Sequence, residues 1–248
     1  MRFYDEWVSS LVPPAATTGA VEAQAASGPV LIPLCGKSLD LVWLAEKKGH
    51  PVAGVELLAA PAEQLMREQV PDLTRCPSLP PGNGWVEEVW ASGQLDLAVA
   101  IGDFMRVLTQ PATAAGTSPH PTSQDPHDRA RWCADALCTP GQFPLAWDRG
   151  GITSVAPSQA EQYLRCLHAL MAKGGSVLME TMSAEGGPTA SNGSPVHSYE
   201  GVRAAAGELF SVAELNSEDV TQHYPHSSHG RLVEHVLLLQ KSSMEATE

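Results

Sequence analysis

The run Val30-Leu31-Ile32-Pro33-Leu34-Cys35-Gly36-Lys37-Ser38, followed twenty residues after Gly36 by Glu56 at the end of Val52-Ala53-Gly54-Val55-Glu56, constrains this chain most. An apolar strand-like run stops at a glycine turn, a helix-like segment follows, and a second apolar run ends on a carboxylate. In a doubly wound sheet, backbone N–H groups of such a turn face a ligand lying across the strand ends. An acid about 20 residues on takes the ribose hydroxyls. Glu56 is therefore expected to hold a ribose, its alternative being a surface acid that starts the next helix. Gly36 is expected to make the turn and let a ligand approach. A phosphate cradle of the Walker type would need glycine where Leu31 stands, and a dinucleotide fingerprint would need three glycines where the turn has only Gly36. The pattern favours a nucleoside ligand without phosphates.

Strand and helix signals alternate as a doubly wound sheet requires. Residues 30–34, 52–56, 95–101, 143–148, 176–181 and 232–239 read as strands, the last as an antiparallel edge strand, and 37–48, 59–69, 158–173 and 199–210 as helices. In the third helix Ser158 and Glu161 suggest a capping box, Ala160, Tyr163, Leu164, Leu167, Leu170 and Met171 one apolar face, and Gly174 the stop. With 248 residues, 43% of them hydrophobic, one α/β domain is expected. Two stretches do not fit a compact core. Gln110 to Pro140, rich in Pro, Ser, Thr and His, reads as a flexible insertion near the site, and Ala184 to Val196 as a Gly/Ser/Pro-rich loop.

The later blocks extend the pattern. Trp43-Leu44-Ala45, Gly49-His50, Ile101-Gly102-Asp103-Phe104 and Trp147-Asp148-Arg149-Gly150, together with the first two runs, resemble the thiopurine S-methyltransferases and their bacterial relatives. The resemblance implies a Rossmann-like class I methyltransferase fold, S-adenosyl-L-methionine as methyl donor, and a thiopurine or related small thiol as acceptor. It implies donor contacts from Leu34, Glu56, the backbone of Ala100 and Ile101, Arg149 and the N-terminal Trp7. At the N-terminus the sequence departs from the family: Phe3 stands where a first Trp is expected. Phe3, Tyr4 and Trp7 are read as a lid within residues 1–28, or as ordinary helix-packing residues.

Chemistry agrees with these roles. A carboxylate accepts charge-assisted hydrogen bonds from a sugar diol, and a guanidinium at the end of a parallel strand can grip a carboxylate bidentately, so Arg149 suits the donor's methionine end; a salt bridge is its alternative. Asp148 is expected to orient a neighbour. Asp103 is either an acid beside the adenine amino group or a cap for the residues after it. Lys37 has no partner in a sulfonium donor and reads as a helix-start or surface lysine. Cys35 could be a nucleophile at a helix start or a buried thiol, and no base for it is visible. His223, His226 and His229 lack a regular face for a metal, and none is expected.

The formal net charge of −13 opposes nucleic-acid binding, which relies on Lys/Arg clusters. Five scattered cysteines suggest reduced thiols in the cytoplasm, and no apolar run of about 18 residues suggests a membrane span. A monomeric enzyme acting on a small thiol is the expectation. The alternatives are methylation of a selenium or tellurium species or a halide, a non-catalytic S-adenosylmethionine binder, and a nucleotide-phosphate binder using Gly36-Lys37-Ser38.

Overall fold

A computed structural model describes residues 28–76, 85–109, 120–121, 123–184, 197–225 and 230–242. The expected lid residues Phe3, Tyr4 and Trp7, residues 110–119 and 122 of the 110–140 stretch, most of the 184–196 loop, and His226 and His229 lie outside them.

Among the described residues, nine strands form one sheet: β1 (Val30–Ile32), β2 (Val52–Glu56), β3 (Thr74–Cys76), β4 (Val86–Ala91), β5 (Leu97–Gly102), β6 (Phe143–Arg149), β7 (Met171–Ala184), β8 (Phe210–Asp219) and β9 (Leu232–Lys241), in the order β3-β4-β5-β2-β1-β6-β7-β9-β8. The five strands from β5 to β7 run parallel, and their near-continuous apolar sequences are what burial on both faces demands. Strand order reverses beside β1: the chain moves outward through β2 to β5, then returns to β1's other side as β6. Helices α1 (Leu39–Lys47) and α2 (Ala59–Glu68) belong to the β1-to-β5 half. Helices α3 (Pro126–Cys138), α4 (Ala160–Leu170) and α5 (Tyr199–Ala206) contribute to the second core cluster, with Leu137, Tyr163, Leu164, Leu167 and Val202 fully buried.

Every expected strand and helix is present, with several corrections. The long apolar strand β9 is antiparallel to β7, as expected, but it is not the edge: β8 pairs outside it. That strand was missed because Phe210–Asp219 is mostly polar and half-exposed, as an edge strand is, and Gly207, at φ +52, ends α5 at Ala206 instead of residue 210. The hairpin-like pair β3 and β4 was also missed, since three-residue Thr74–Cys76 is too short to show alternation. Leu34 lies beyond β1 because its φ of +47 is left-handed backbone.

Helix α4 is shorter than expected. It starts at Ala160 with no side-chain cap, Glu161 instead pairing with Arg165, and it ends at Leu170 where the chain enters β7, four residues before Gly174. The apolar face holds: Ala160, Tyr163, Leu164, Leu167, Leu170 and Met171 are all buried. The largest correction concerns Gln110 to Pro140. Its C-terminal part is not a flexible excursion but α3, capped by Asp125 and burying Ala130, Trp132, Cys133 and Leu137. Arg129 on this helix, 5% exposed, bonds Asp96 at 3.0 Å and the Ser92 carbonyl, tying α3 to the β4–β5 turn.

Candidate active site

The site is built where β1 and β2 end. Leu34 (φ +47) and Gly36 (φ +55) turn the chain sharply out of the sheet, and the turn is anchored to β2 by two hydrogen bonds. The Cys35 N–H donates to the Val55 carbonyl at 2.8 Å, and the Gly36 N–H donates to Oε2 of Glu56 at 2.9 Å. Left-handed backbone at a leucine costs about 1–2 kcal/mol, so this turn is held by its surroundings rather than by local preference. Gly36 answers a backbone need: a Cβ there would meet nothing within 4 Å. Space above the turn is open.

Glu56 is fixed before any ligand arrives. Its Oε1 accepts the N–H groups of Leu57 at 2.9 Å and Leu58 at 3.2 Å. Of roughly four acceptor positions on a carboxylate, one on Oε2 remains. Ile101 sits beside Glu56 in the parallel register, and Ala100 beside Val55, so both end on the same edge. Among the described residues, the large apolar side chains that remain exposed, Leu39, Leu57, Leu58, Leu108 and Tyr224, all follow strands on that edge. A carboxylate, an open turn and an apolar shelf suit a nucleoside.

Phosphate chemistry does not fit. Lys37 is half-exposed and paired with Glu68 at 3.1 Å, away from the turn's role. Ser38 caps α1, accepting the Asp40 N–H at 3.2 Å. Cys35 is buried, and burial followed by the nearby Glu56 charge pushes its thiol well up, so it is no nucleophile. Asp103 accepts the Met105 N–H at 3.0 Å: it is a cap.

Across the reversal point, β6 delivers Asp148 and Arg149 to opposite faces. Asp148 is fully buried, accepting Tyr163 O–H at 2.9 Å and Ile152 N–H at 3.2 Å; burial raises its carboxyl to about 7 despite those bonds. It orients neighbours, as expected. Gly151 belongs to the same knot, because a Cβ there would lie 2.6 Å from both Asp148 and the Tyr163 hydroxyl. Arg149 forms the salt bridge that was its alternative reading: Nη1 meets Asp40 at 3.2 Å and Nε meets Glu180 at 3.6 Å. Its Nη2 takes part in neither contact. Asp40 is held in turn by Ser38 at 2.9 Å and Trp147 Nε1 at 3.1 Å.

A cleft of about 250 Å³ opens here, lined by Arg149, Gly150, Thr153, Glu180, Tyr224 and Glu234 among others. Asp40, Glu180 and Glu234 were missed in the sequence. A signal existed for Glu180: Val177-Leu178-Met179-Glu180 is an apolar run ending on an acid, as at Glu56. No group of three or more His, Cys, Asp or Glu among the described residues is arranged to hold a metal, and His223 is exposed. None of the five cysteines is in a disulfide.

Comparison with known proteins bears on this geometry. A family model described as Thiopurine S-methyltransferase matches residues 9–106. Relatives of that name include one from Pseudomonas putida GB-1, 32% identical over 66% of this chain and 61% of its own length. Another, from Pseudomonas putida W619, is 29% identical over 87% of this chain and 83% of its own. The chain spans 61% and 54% of the lengths of the first two relatives matched. Among solved structures, geranyl diphosphate C-methyltransferase from Streptomyces coelicolor superposes with a TM-score of 0.53 at 12% identity, covering 97% of this chain and 77% of that one. Phosphoethanolamine N-methyltransferase 2 from Haemonchus contortus gives 0.51 at 10% identity, over 95% and 52%. Those two likenesses establish the Rossmann-like fold; the sequence matches show that the chain is similar to the thiopurine S-methyltransferases over residues 9–106 and in part beyond.

Proposed function

We propose that this protein is an S-adenosyl-L-methionine-dependent methyltransferase whose acceptor is the sulfur of a small thiol such as a thiopurine, working as a cytoplasmic monomer. The observation that carries this reading is the Gly36–Glu56 hydrogen bond, 2.9 Å across a left-handed turn at the point where strand order reverses. A donor nucleoside would lie with one ribose hydroxyl on the remaining position of Glu56 Oε2, a second sharing Oε1 with its backbone donors. Leu34, Gly36 and the backbone of Ala100 and Ile101 would line it, Trp7 would cover it, and Nη2 of Arg149 would take the methionine carboxylate. When bound, the donor supplies an electrophilic methyl group on a sulfonium.

The chain's own residues hold and align. Proximity alone can contribute ~7–11 kcal/mol to a displacement of this kind, which requires rigid walls: the β1 turn is anchored to β2, and Arg149 is fixed between Asp40 and Glu180. Calorimetry with S-adenosylhomocysteine and with ATP tests the donor: binding of the first and not the second is expected, and the reverse would overturn the reading. A radiolabelled methyl-transfer screen over thiols, selenols and halides tests the acceptor. Transfer to thiols is expected; donor binding without transfer to any of them would make the protein a binder.

A further inference from the structure

Methyl transfer to a neutral thiol leaves one question of chemistry open: where the S–H proton goes. The cleft over the ends of β6, β7 and β9 contains an answer. Glu180 ends the apolar part of β7, and Glu234 lies near the start of antiparallel β9, two positions from Val236, which pairs with Glu180 across the strands. Side chains two apart share a face, so both acids stand on the face that carries Arg149, near enough for the Glu234 charge to bear on Glu180. Both line the cleft, with Tyr224 and Thr153 completing its rim.

We propose, resting on the methyltransferase reading above, that this cleft is the acceptor's pocket and that the Glu180–Glu234 carboxyl pair is the base that receives the thiol proton. In that step the S–H bond breaks, an O–H bond forms on the pair, and the electron pair stays on sulfur as a thiolate.

Two acids side by side on one strand face and lining one cleft cannot both ionise freely, so the pair holds one proton to a higher pH than a lone carboxylate would. Burial first, then the Glu234 charge, raises Glu180 to about 7, against the opposing pull of Arg149; Asp40 adds to the rise. Among the described residues, the charged and titratable groups bearing on Glu180 or sharing its cleft are Glu234 from β9, Arg149 from β6, Asp40 from α1, and Tyr224, just after the 3-10 turn Thr221–His223. A base near neutrality is matched to an aromatic thiol, which is itself partly ionised near neutral pH, and such matching is where general-base catalysis is most effective. The remaining contacts keep the pair in place without consuming it: Arg149 touches Glu180 at 3.6 Å, too long to be a tight ion pair.

The test uses the full chain, Glu180→Gln and Glu234→Gln. With 6-mercaptopurine, kcat/KM of the parent should rise through a pH near 7. In Glu180→Gln the rate should fall at least about a hundredfold and that rising limb should disappear. A second readout needs no turnover. Bound to the protein with S-adenosylhomocysteine, 6-mercaptopurine has a near-ultraviolet band that moves on ionisation. Its titration should lie at higher pH in the parent, where the ionised pair opposes a thiolate beside it, than in Glu180→Gln, with Glu234→Gln between them. Circular dichroism and the denaturant midpoint show that the variants are folded. An unchanged pH profile and unchanged thiol titration in both variants overturn the proposal while leaving the methyltransferase reading intact. Loss of S-adenosylhomocysteine binding in folded variants, with the profile unchanged, assigns the pair to the donor's ammonium group and also overturns it. No transfer by the parent to any thiol removes the underlying reading and the base with it.

Discussion

At the scale of single residues, the site depends on carboxylates in three different settings. Glu56 sits at a strand end, bonded to three backbone N–H groups, and is a ready acceptor. Glu56→Ala should weaken S-adenosylhomocysteine binding by ~1.5–3 kcal/mol, the range for charged hydrogen bonds; calorimetry on the folded variant measures it, and an unchanged affinity would remove Glu56 from the site. Asp148 is the opposite case, a carboxyl with no access to water. Its folded-state value near 7 lies above the 3.8 of a free aspartate, so the folded chain holds a proton that the unfolded chain has released. Stability attributable to this group is therefore full below about pH 4 and declines as pH rises towards 7, by an amount on the order of 4 kcal/mol at most. Urea unfolding across that window should show the decline, and Asp148→Asn should flatten it. A parent curve without this slope would mean that Asp148 is ionised in the folded chain.

At the scale of elements, the turn after β1 and helix α3 carry the most specific expectations. Gly36→Val places a β-branched residue at φ +55 with open space around it, so steric clash is absent and only backbone strain remains. Such a substitution should cost about 1–2 kcal/mol in stability, measured by denaturant midpoint at constant slope. Helix α3 makes a different claim. Leu137 is fully buried in the same cluster as Tyr163 and Leu167, so Leu137→Ala should destabilise by about 2–5 kcal/mol. A mobile insertion would show almost no effect. The Pro, Ser and His content of residues 110–125 hid this helix. Its amphipathic face begins only after the Asp125–Pro126 start signal, which the neighbouring low-complexity composition outweighs.

For the whole molecule, the parallel strands and their two covering layers present one edge on which the turn, Glu56, Ile101, Arg149 and the cleft all converge. A ligand bound there engages both sides of the reversal and should stabilise the fold as a unit. At a hundredfold excess over its Kd, S-adenosylhomocysteine should add about 2.7 kcal/mol to the unfolding free energy, visible as a raised Tm, and ATP should add none. Equal shifts from both ligands would point to non-specific binding.

What the sequence determined by itself is the part that local rules write down. The apolar runs set the five parallel strands, Gly36 and the apolar-to-acid transition at Glu56 set the nucleoside side, and the face of α4 is given by residues at helical spacing. These signals lie within about 20 residues of one another, so no knowledge of distant contacts is needed to see them. Tertiary structure decided the rest. Asp40 and Arg149 are 109 positions apart, and Glu180 and Glu234 meet only because β7 and β9 pair antiparallel. Whether Arg149 is free or paired, whether Asp148 is ionised, and which acids share a proton all follow from burial and from neighbours brought by the fold. Such electrostatic states belong to groups in contact, and no local pattern encodes which distant groups will touch.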